Sequence, residues 1–386
     1  MKLTRSATLL AGYLVVKTLA QQPAHAQSHC PVGAQVELAL AQASQLLDQA
    51  KYTTAAEELQ PLATLNCDPR LSLLLAAAFD GLAQPASAES ALQQAHTVWP
   101  ANNSIAASLA REDMAAGQLD AAVQALAHFR PNNATPPQEL DAAAVTLLAG
   151  HQLVAAHEVA AVAYHAHPST HTILLLANTL QLEGRYKDVI ALLDSRRKTY
   201  SQSAPFLVTL AESEYDADML DPARRDLELS IELDRTLYQA HYLLGNVLMK
   251  QGDIDGASAS YRRAITLAPD QPRTYYQLAL ALRARQDETG EQLLLEKALS
   301  IDSKYGAAHS ELGRIYLNQN RLTEAVGELN SAIENNPTLE QPYNLLARAY
   351  ERLGDTEKAE AMSRRLVAVR AEKHKGAQPE SIAHAQ

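Results

Sequence analysis

The stretch YQAHYLLGNVLMKQGDIDGASASYRRAITLAPDQ, from Tyr238 to Gln271, decides the fold. It reads as two short amphipathic helices joined by a turn at Gly252 and closed by Pro269. With Tyr238 as position 1, Gly245 stands at position 8, Ala257 at 20, Tyr261 at 24 and Ala264 at 27. Small residues at 8 and 20 let two helices cross closely. Larger apolar residues at 7 and 24, here Leu244 and Tyr261, flank that contact.

The same 34-residue pattern recurs along the chain. Regular copies start at Pro136, Thr170, Ala204, Pro272, Gly306 and Glu340, and less regular ones near Val36, Pro69 and Asn103. Position 8 is Ala or Gly in all of them: Ala43, Ala76, Ala110, Ala143, Ala177, Ala211, Gly245, Ala279, Gly313 and Ala347. Position 20 is Ala except for Val189 and Glu291, with Ala155 serving the repeat that starts at Pro136. Gly117, Gly150, Gly184, Gly252 and Gly354 fall at the expected turn, and Pro100, Pro269 and Pro337 at the expected end. This period and these positions resemble the tetratricopeptide repeat. The resemblance implies an all-α, right-handed superhelical solenoid of about ten helix-turn-helix repeats. Residues 36–135 form three divergent repeats and 136–373 seven further ones, with 374–386 a disordered tail.

Irregularities mark three places. Pro61 falls inside the second helix of the first repeat and shortens or kinks it. Pro131 and the run Asn132 to Pro137 (NNATPP) read as a linker and as a subdomain boundary. Glu291 at position 20, beside the turn Gln286-Asp287, implies a looser crossing in the repeat that starts at Pro272.

The composition agrees with packed helices. Apolar residues make up 47% and aromatics 5% of the chain, with 15 Tyr against 3 Phe. A net charge of −11 leaves no overall basic footprint for nucleic acid. Residues 27–169 carry thirteen acidic and four basic side chains, while the C-terminal half is dense in both signs.

Residues 1–26 read as an export signal. Lys2 and Arg5 provide the positive start, Ser6 to Val16 the apolar core, and Ala24-His25-Ala26 the cleavage site, so the mature chain begins at Gln27. The apolar run is too short to span a membrane, and no transmembrane segment is expected in the mature chain. A short N-terminal segment, 27–35, precedes the repeats. In the oxidising compartment that export implies, Cys30 and Cys67 are expected to bridge, stapling the N-terminal segment across the first hairpin.

No phosphate loop, metal knuckle or nucleophile elbow occurs in the sequence. His157-Glu158 begins like a zinc-protease helix, but Ala161 stands where the second His must fall. His151, His157, His165, His167 and His171 cluster, and they read as polar residues at helix ends and turns rather than as a metal site. No cofactor and no catalytic residue is assigned. The resemblance places binding residues on the first helix of each repeat, lining a concave groove. Carried over by position, these are Tyr242, Asn246, Lys250, Arg273, Tyr276, Arg283, Arg314, Arg348 and Arg352. This stripe of cations and phenols suits an acidic protein or peptide partner. The expected function is that of an exported, periplasmic, non-enzymatic scaffold or adaptor. The alternatives are an accessory subunit for envelope or exopolysaccharide assembly and an enzyme with unrecognised groove chemistry.

Overall fold

A computed structural model describes Cys30 and residues 33–376. Residues 1–26, the expected export signal, and residues 377–386 of the expected tail lie outside the described residues. Among the described residues there are twenty α-helices and no strand. The chain divides into two compact units, 1–192 and 193–386.

Among its described residues the first unit contains nine complete helices: α1 (Gly33–Asp48), α2 (Tyr52–Ala63), α3 (Pro69–Gly81), α4 (Pro85–Val98), α5 (Asn103–Ala115), α6 (Leu119–Ala125), α7 (Pro137–Ala149), α8 (Leu153–Ala166) and α9 (Thr170–Leu182). The division falls inside α10 (Tyr186–Tyr200), not in the linker at 132–137. The second unit then contains α11 (Ala204–Asp216), α12 (Leu220–Leu233), α13 (Tyr238–Gln251), α14 (Ile254–Leu267), α15 (Pro272–Ala284), α16 (Glu288–Ile301), α17 (Gly306–Asn318), α18 (Leu322–Asn335), α19 (Glu340–Leu353) and α20 (Thr356–Gly376). Within the second unit each helix packs on the next, and first helices also touch across repeats, as α17 does α19.

The small residues sit where the hairpins cross. Ala55, Ala88, Ala122, Ala223, Ala257 and Ala325 are fully buried. Gly245 lies against the Tyr261 ring, and a Cβ there would come within 3.0 Å of it. Tyr261 is itself fully buried, and Gly245 leaves the room that admits this phenol at position 24.

Each hairpin turns through one residue with positive φ: Ala50, Ala83, Gly117, His151, Gly184, Asp218, Gly252, Gln286, Asn320 and Gly354. Only four are Gly, so packing imposes a left-handed turn that local preference would not choose. Nine stand at position 15. The exception corrects the register of the fourth repeat. Gly150 has φ −80° and His151 makes the turn. Helix α7 begins at Pro137, and Ala156 rather than Ala155 is the fully buried residue opposite. Gly150 is small for another reason: a Cβ there would collide with Val123 of the preceding repeat.

The linker is more ordered than its composition implies. Helix α6 ends at Ala125, before Pro131 is reached. Buried Thr135 accepts from the Asn132 amide at 3.0 Å, and the Asn103 side chain bonds the Arg130 backbone in both directions. Pro61 does shorten its helix: α2 has 12 residues where most second helices have 14. Cys30 and Cys67 are joined by a disulfide with their Cα atoms 5.5 Å apart.

A device absent from the sequence reading joins the last repeats. Position 4 is His241, Tyr275, His309 and Tyr343 in turn. Each ring reaches the carbonyl six residues back, in the preceding inter-repeat loop: Arg235 at 3.2 Å, and Pro269, Ser303 and Pro337 at 3.0 Å. Imidazole and phenol place a hydrogen-bonding group at the far edge of a flat ring, so they are interchangeable here.

Replacing Gly245 by Ala should lower stability by about 1–3 kcal/mol through overpacking against Tyr261. Gly327→Ala in α18, with open space around its Cβ position, should instead raise it by about 0.5–1 kcal/mol. Urea unfolding of the two variants distinguishes them by the sign of the change.

Candidate functional site

Helix α13 presents Tyr238, Tyr242, Asn246 and Lys250 at four-residue spacing, one stripe of its surface. Tyr238 and Tyr242 stack with centroids 6.0 Å apart, and Tyr242 lies 6.2 Å from the buried Tyr261. The Arg273 guanidinium, from the start of α15, lies 4.7 Å from the Tyr242 ring centroid and 5.6 Å from that of Tyr238. Its Nε donates to the Tyr238 hydroxyl at 2.9 Å. That single bond fixes the guanidinium plane and leaves its two terminal nitrogens without a protein acceptor among the described residues.

Asn246 is oriented in the same way. Tyr261 donates to its Oδ1 at 2.8 Å, so its amide nitrogen is turned outward as a donor. Tyr276 meets Tyr305 edge-on at 5.5 Å farther along the same face. Burial pushes the Tyr305 phenol up to about 12, and raises Tyr276 and Tyr261 as well. All of these phenols remain protonated donors at neutral pH. Tyr242, Asn246, Arg273 and Tyr276 therefore form a half-buried aromatic surface with outward-facing donors.

The remaining cations on the stripe have a different role. Arg314 is held between Glu291 and Glu311, with its Nε 2.6 Å from the latter, and is only 20% exposed. Arg283 also pairs with Glu311, at 2.8 Å. Glu291 and Glu311 are buried, so two acids and two cations neutralise each other inside the stack. Burial pushes Glu311 up, but hydrogen bonds from Arg314 and Arg283 more than offset this and hold it below the usual range. Burial raises Glu291, with Arg314 opposing it. Glu291 thus does not loosen its hairpin; it occupies the small-residue position as the anchor of Arg314.

Lys250 lies 4.0 Å from the Tyr215 ring centroid and 3.5 Å from Asp218. Arg352 bonds the Leu317 carbonyl at 2.7 Å and Asn320 at 2.9 Å, locking one turn to the next repeat. Arg348 is exposed and makes no hydrogen bond or ion pair among the described residues. The expected continuous basic stripe is therefore two separated free cations, Arg273 and Arg348, on a largely neutralised surface.

In the histidine-rich segment, His157 bonds Thr179 at 3.2 Å, His167 the Thr135 carbonyl at 3.3 Å, and His171 pairs with Asp141 at 2.5 Å. Among the described residues no three side chains converge as metal ligands.

A second buried acid group in the second unit was not read from the sequence. Arg197 forks onto Asp226 through two bonds of 2.7 Å, while Glu214 stands 3.8 Å from it with one oxygen buried and unpaired. Burial and the neighbouring Asp226 push Glu214 up to about 7, against an opposing pull from Arg197.

Stacked helical hairpins with an aromatic, donor-bearing face define a repeat scaffold suited to protein–protein interaction. The chain contains tetratricopeptide repeats: models of that repeat match residues 245–284, 292–348 and 340–373. It is similar to a TPR repeat-containing thioredoxin of Arabidopsis thaliana, 39% identical over 83 residues, or 21% of this chain and 11% of that protein. A cell division cycle protein 27 homolog of Caenorhabditis elegans is 32% identical over 76 residues, 20% of this chain and 10% of that one. The matched segment thus spans about a tenth of each relative's length. Among solved structures, MamA aligns with a TM-score of 0.39 and 20% identity, over 43% of this chain and 97% of that one. Among the described residues no helix is long and apolar enough to cross a membrane.

Two outcomes follow for this region. Arg314→Met leaves Glu291 and Glu311 buried without their shared cation and should cost about 3–5 kcal/mol in chemical unfolding. For Glu214 the folded pKa lies above the ordinary 4.5, so the folded state holds the extra proton. Its contribution to stability is then greatest at low pH and declines as pH rises from 4.5 through about 7. Melting curves of the wild type across that window should slope downward with pH more steeply than those of Glu214→Gln.

Proposed function

We propose that the protein is an exported, non-enzymatic scaffold that holds an extended segment of a protein partner against the first-helix face of α13 and α15. The observation that carries this reading is the paired orientation of Arg273 and Asn246. Each is fixed by a tyrosine hydroxyl, and each directs unsatisfied donors away from the protein over an aromatic surface. A peptide carboxylate suits the Arg273 fork, and a main-chain carbonyl suits the Asn246 amide. Both donors are held before the ligand arrives, so little side-chain entropy is lost on binding. Arg348 adds a second attraction for acidic side chains. The partner is accordingly an acidic or carboxylate-bearing segment. Export rests on the leader-like residues 1–26, and periplasmic residence is part of the same proposal.

Affinity capture from an envelope extract tests the site. Arg273→Glu should weaken capture of the specific partner at least about tenfold, the loss expected for one charge-assisted hydrogen bond. Arg348→Glu should weaken it less. Arg314→Glu is a poor probe, because it replaces a buried cation with a third acid beside Glu291 and Glu311 and so is expected to destabilise the fold itself. Equal capture by wild type and Arg273→Glu, with matched melting temperatures, would exclude this face as the docking surface.

A further inference from the structure

The first unit has a cavity of about 360 Å³ between the end of α2, α3 and α4. It belongs to a different unit from the tyrosine face and is independent of the reading given above. Its origin is local. Pro61 shortens α2, and the chain leaves that helix through Asn66, whose φ is +52°. The next residue, Cys67, is tied to Cys30. The truncated end of α2 thus leaves a gap against the longer α4, and the disulfide adjoins one wall of that gap.

The lining has an unusual chemistry. Among the described residues it contains no charged side chain. Beside Thr64, whose hydroxyl donates to the Pro61 carbonyl at 2.9 Å, Gln60, Asn66, Ser72, Ser87, Ser90 and Gln94 bring three amides and three further hydroxyls to one space. None of these six side chains has a hydrogen-bond partner among the described residues. The floor is apolar, made by Leu75 and the half-buried ring of Phe79. Ser87, Ser90 and Gln94 lie three and four residues apart and so share one face of α4.

We infer that this cleft binds an uncharged sugar unit of a glycan. An apolar ligand would strand six polar groups, and an ionic one would meet no countercharge. Neutral amides and hydroxyls donate and accept at once, as adjacent sugar hydroxyls do, so they pair reciprocally. The C–H face of a pyranose ring is apolar and suits the Phe79 ring beneath it. A space of this size with an apolar floor and a few convergent polar groups is that of a small-ligand site.

The test is calorimetric titration of the purified full-length chain with maltohexaose, cellohexaose and N-acetylglucosamine hexamer. Hexagalacturonate serves as the charged counterpart, and a Gly-Ser peptide as an uncharged non-sugar. At least one neutral oligosaccharide should bind saturably, with neither hexagalacturonate nor the peptide competing. Gln94→Leu and Ser90→Leu, at exposed positions, should each weaken that binding about tenfold or more without lowering the melting temperature. Arg273→Glu in the second unit should leave it unchanged. Failure of all three neutral sugars to bind, binding that survives both α4 substitutions, or competition by the peptide would each overturn the assignment.

Discussion

The close crossing of two helices within a hairpin is the contact on which the rest depends. Where Gly245 meets Tyr261, or Gly313 meets Leu329, the backbone of one helix lies under a side chain of the other with no room for a methyl group. That proximity fixes the hairpin angle, and the angle requires a left-handed residue at the turn. The turn is made even where Ala50, Ala83 or Gln286 must supply it. Non-glycine residues are strained in that region, so tertiary packing, rather than local preference, sets the turn. The binding face follows from the same contact. Tyr261 reaches Asn246 from the partner helix only because the two helices lie so close.

Periodicity made the fold legible because one spacing governs both burial and turns. The small residues at positions 8 and 20, the Gly252 turn and the Pro-terminated helices all follow from that single constraint. The fourth repeat shows where such reading slips. Gly150 and His151 are adjacent, and Ala143, Ala144, Ala155 and Ala156 offer two equivalent registers. The left-handed φ of His151 decides between them, and no one-residue pattern could have done so.

The site was less legible for a related reason. Position in a repeat assigns a side chain to a face but says nothing of its partners on other helices. Arg314 and Arg273 occupy comparable stripes. One is neutralised by acids in two helices, while the other stacks on tyrosines and keeps its outer nitrogens free. A signal was present in Glu291, an acid where nine other repeats carry Ala or Val. A buried acid demands a cation, and Arg314 was the cation it had claimed. The cleft on the other unit was invisible for the opposite reason: its polar lining, such as Gln60, Ser87, Ser90 and Gln94, falls at positions that the repeat leaves free to vary.

The ring at position 4 has a consequence for how such a chain changes over evolutionary time. His241, Tyr275, His309 and Tyr343 each grasp the carbonyl six residues behind them, and they recur at a spacing of 34. A gene duplication or deletion in whole multiples of that spacing rejoins a ring to a carbonyl at the same distance. The joint between old and new repeats is then already made at the moment of recombination. A junction of any other length that falls within those six residues leaves a ring without its acceptor and a loop carbonyl without its donor. The array is thereby editable by whole units, and the edit needs no compensating substitution at the seam.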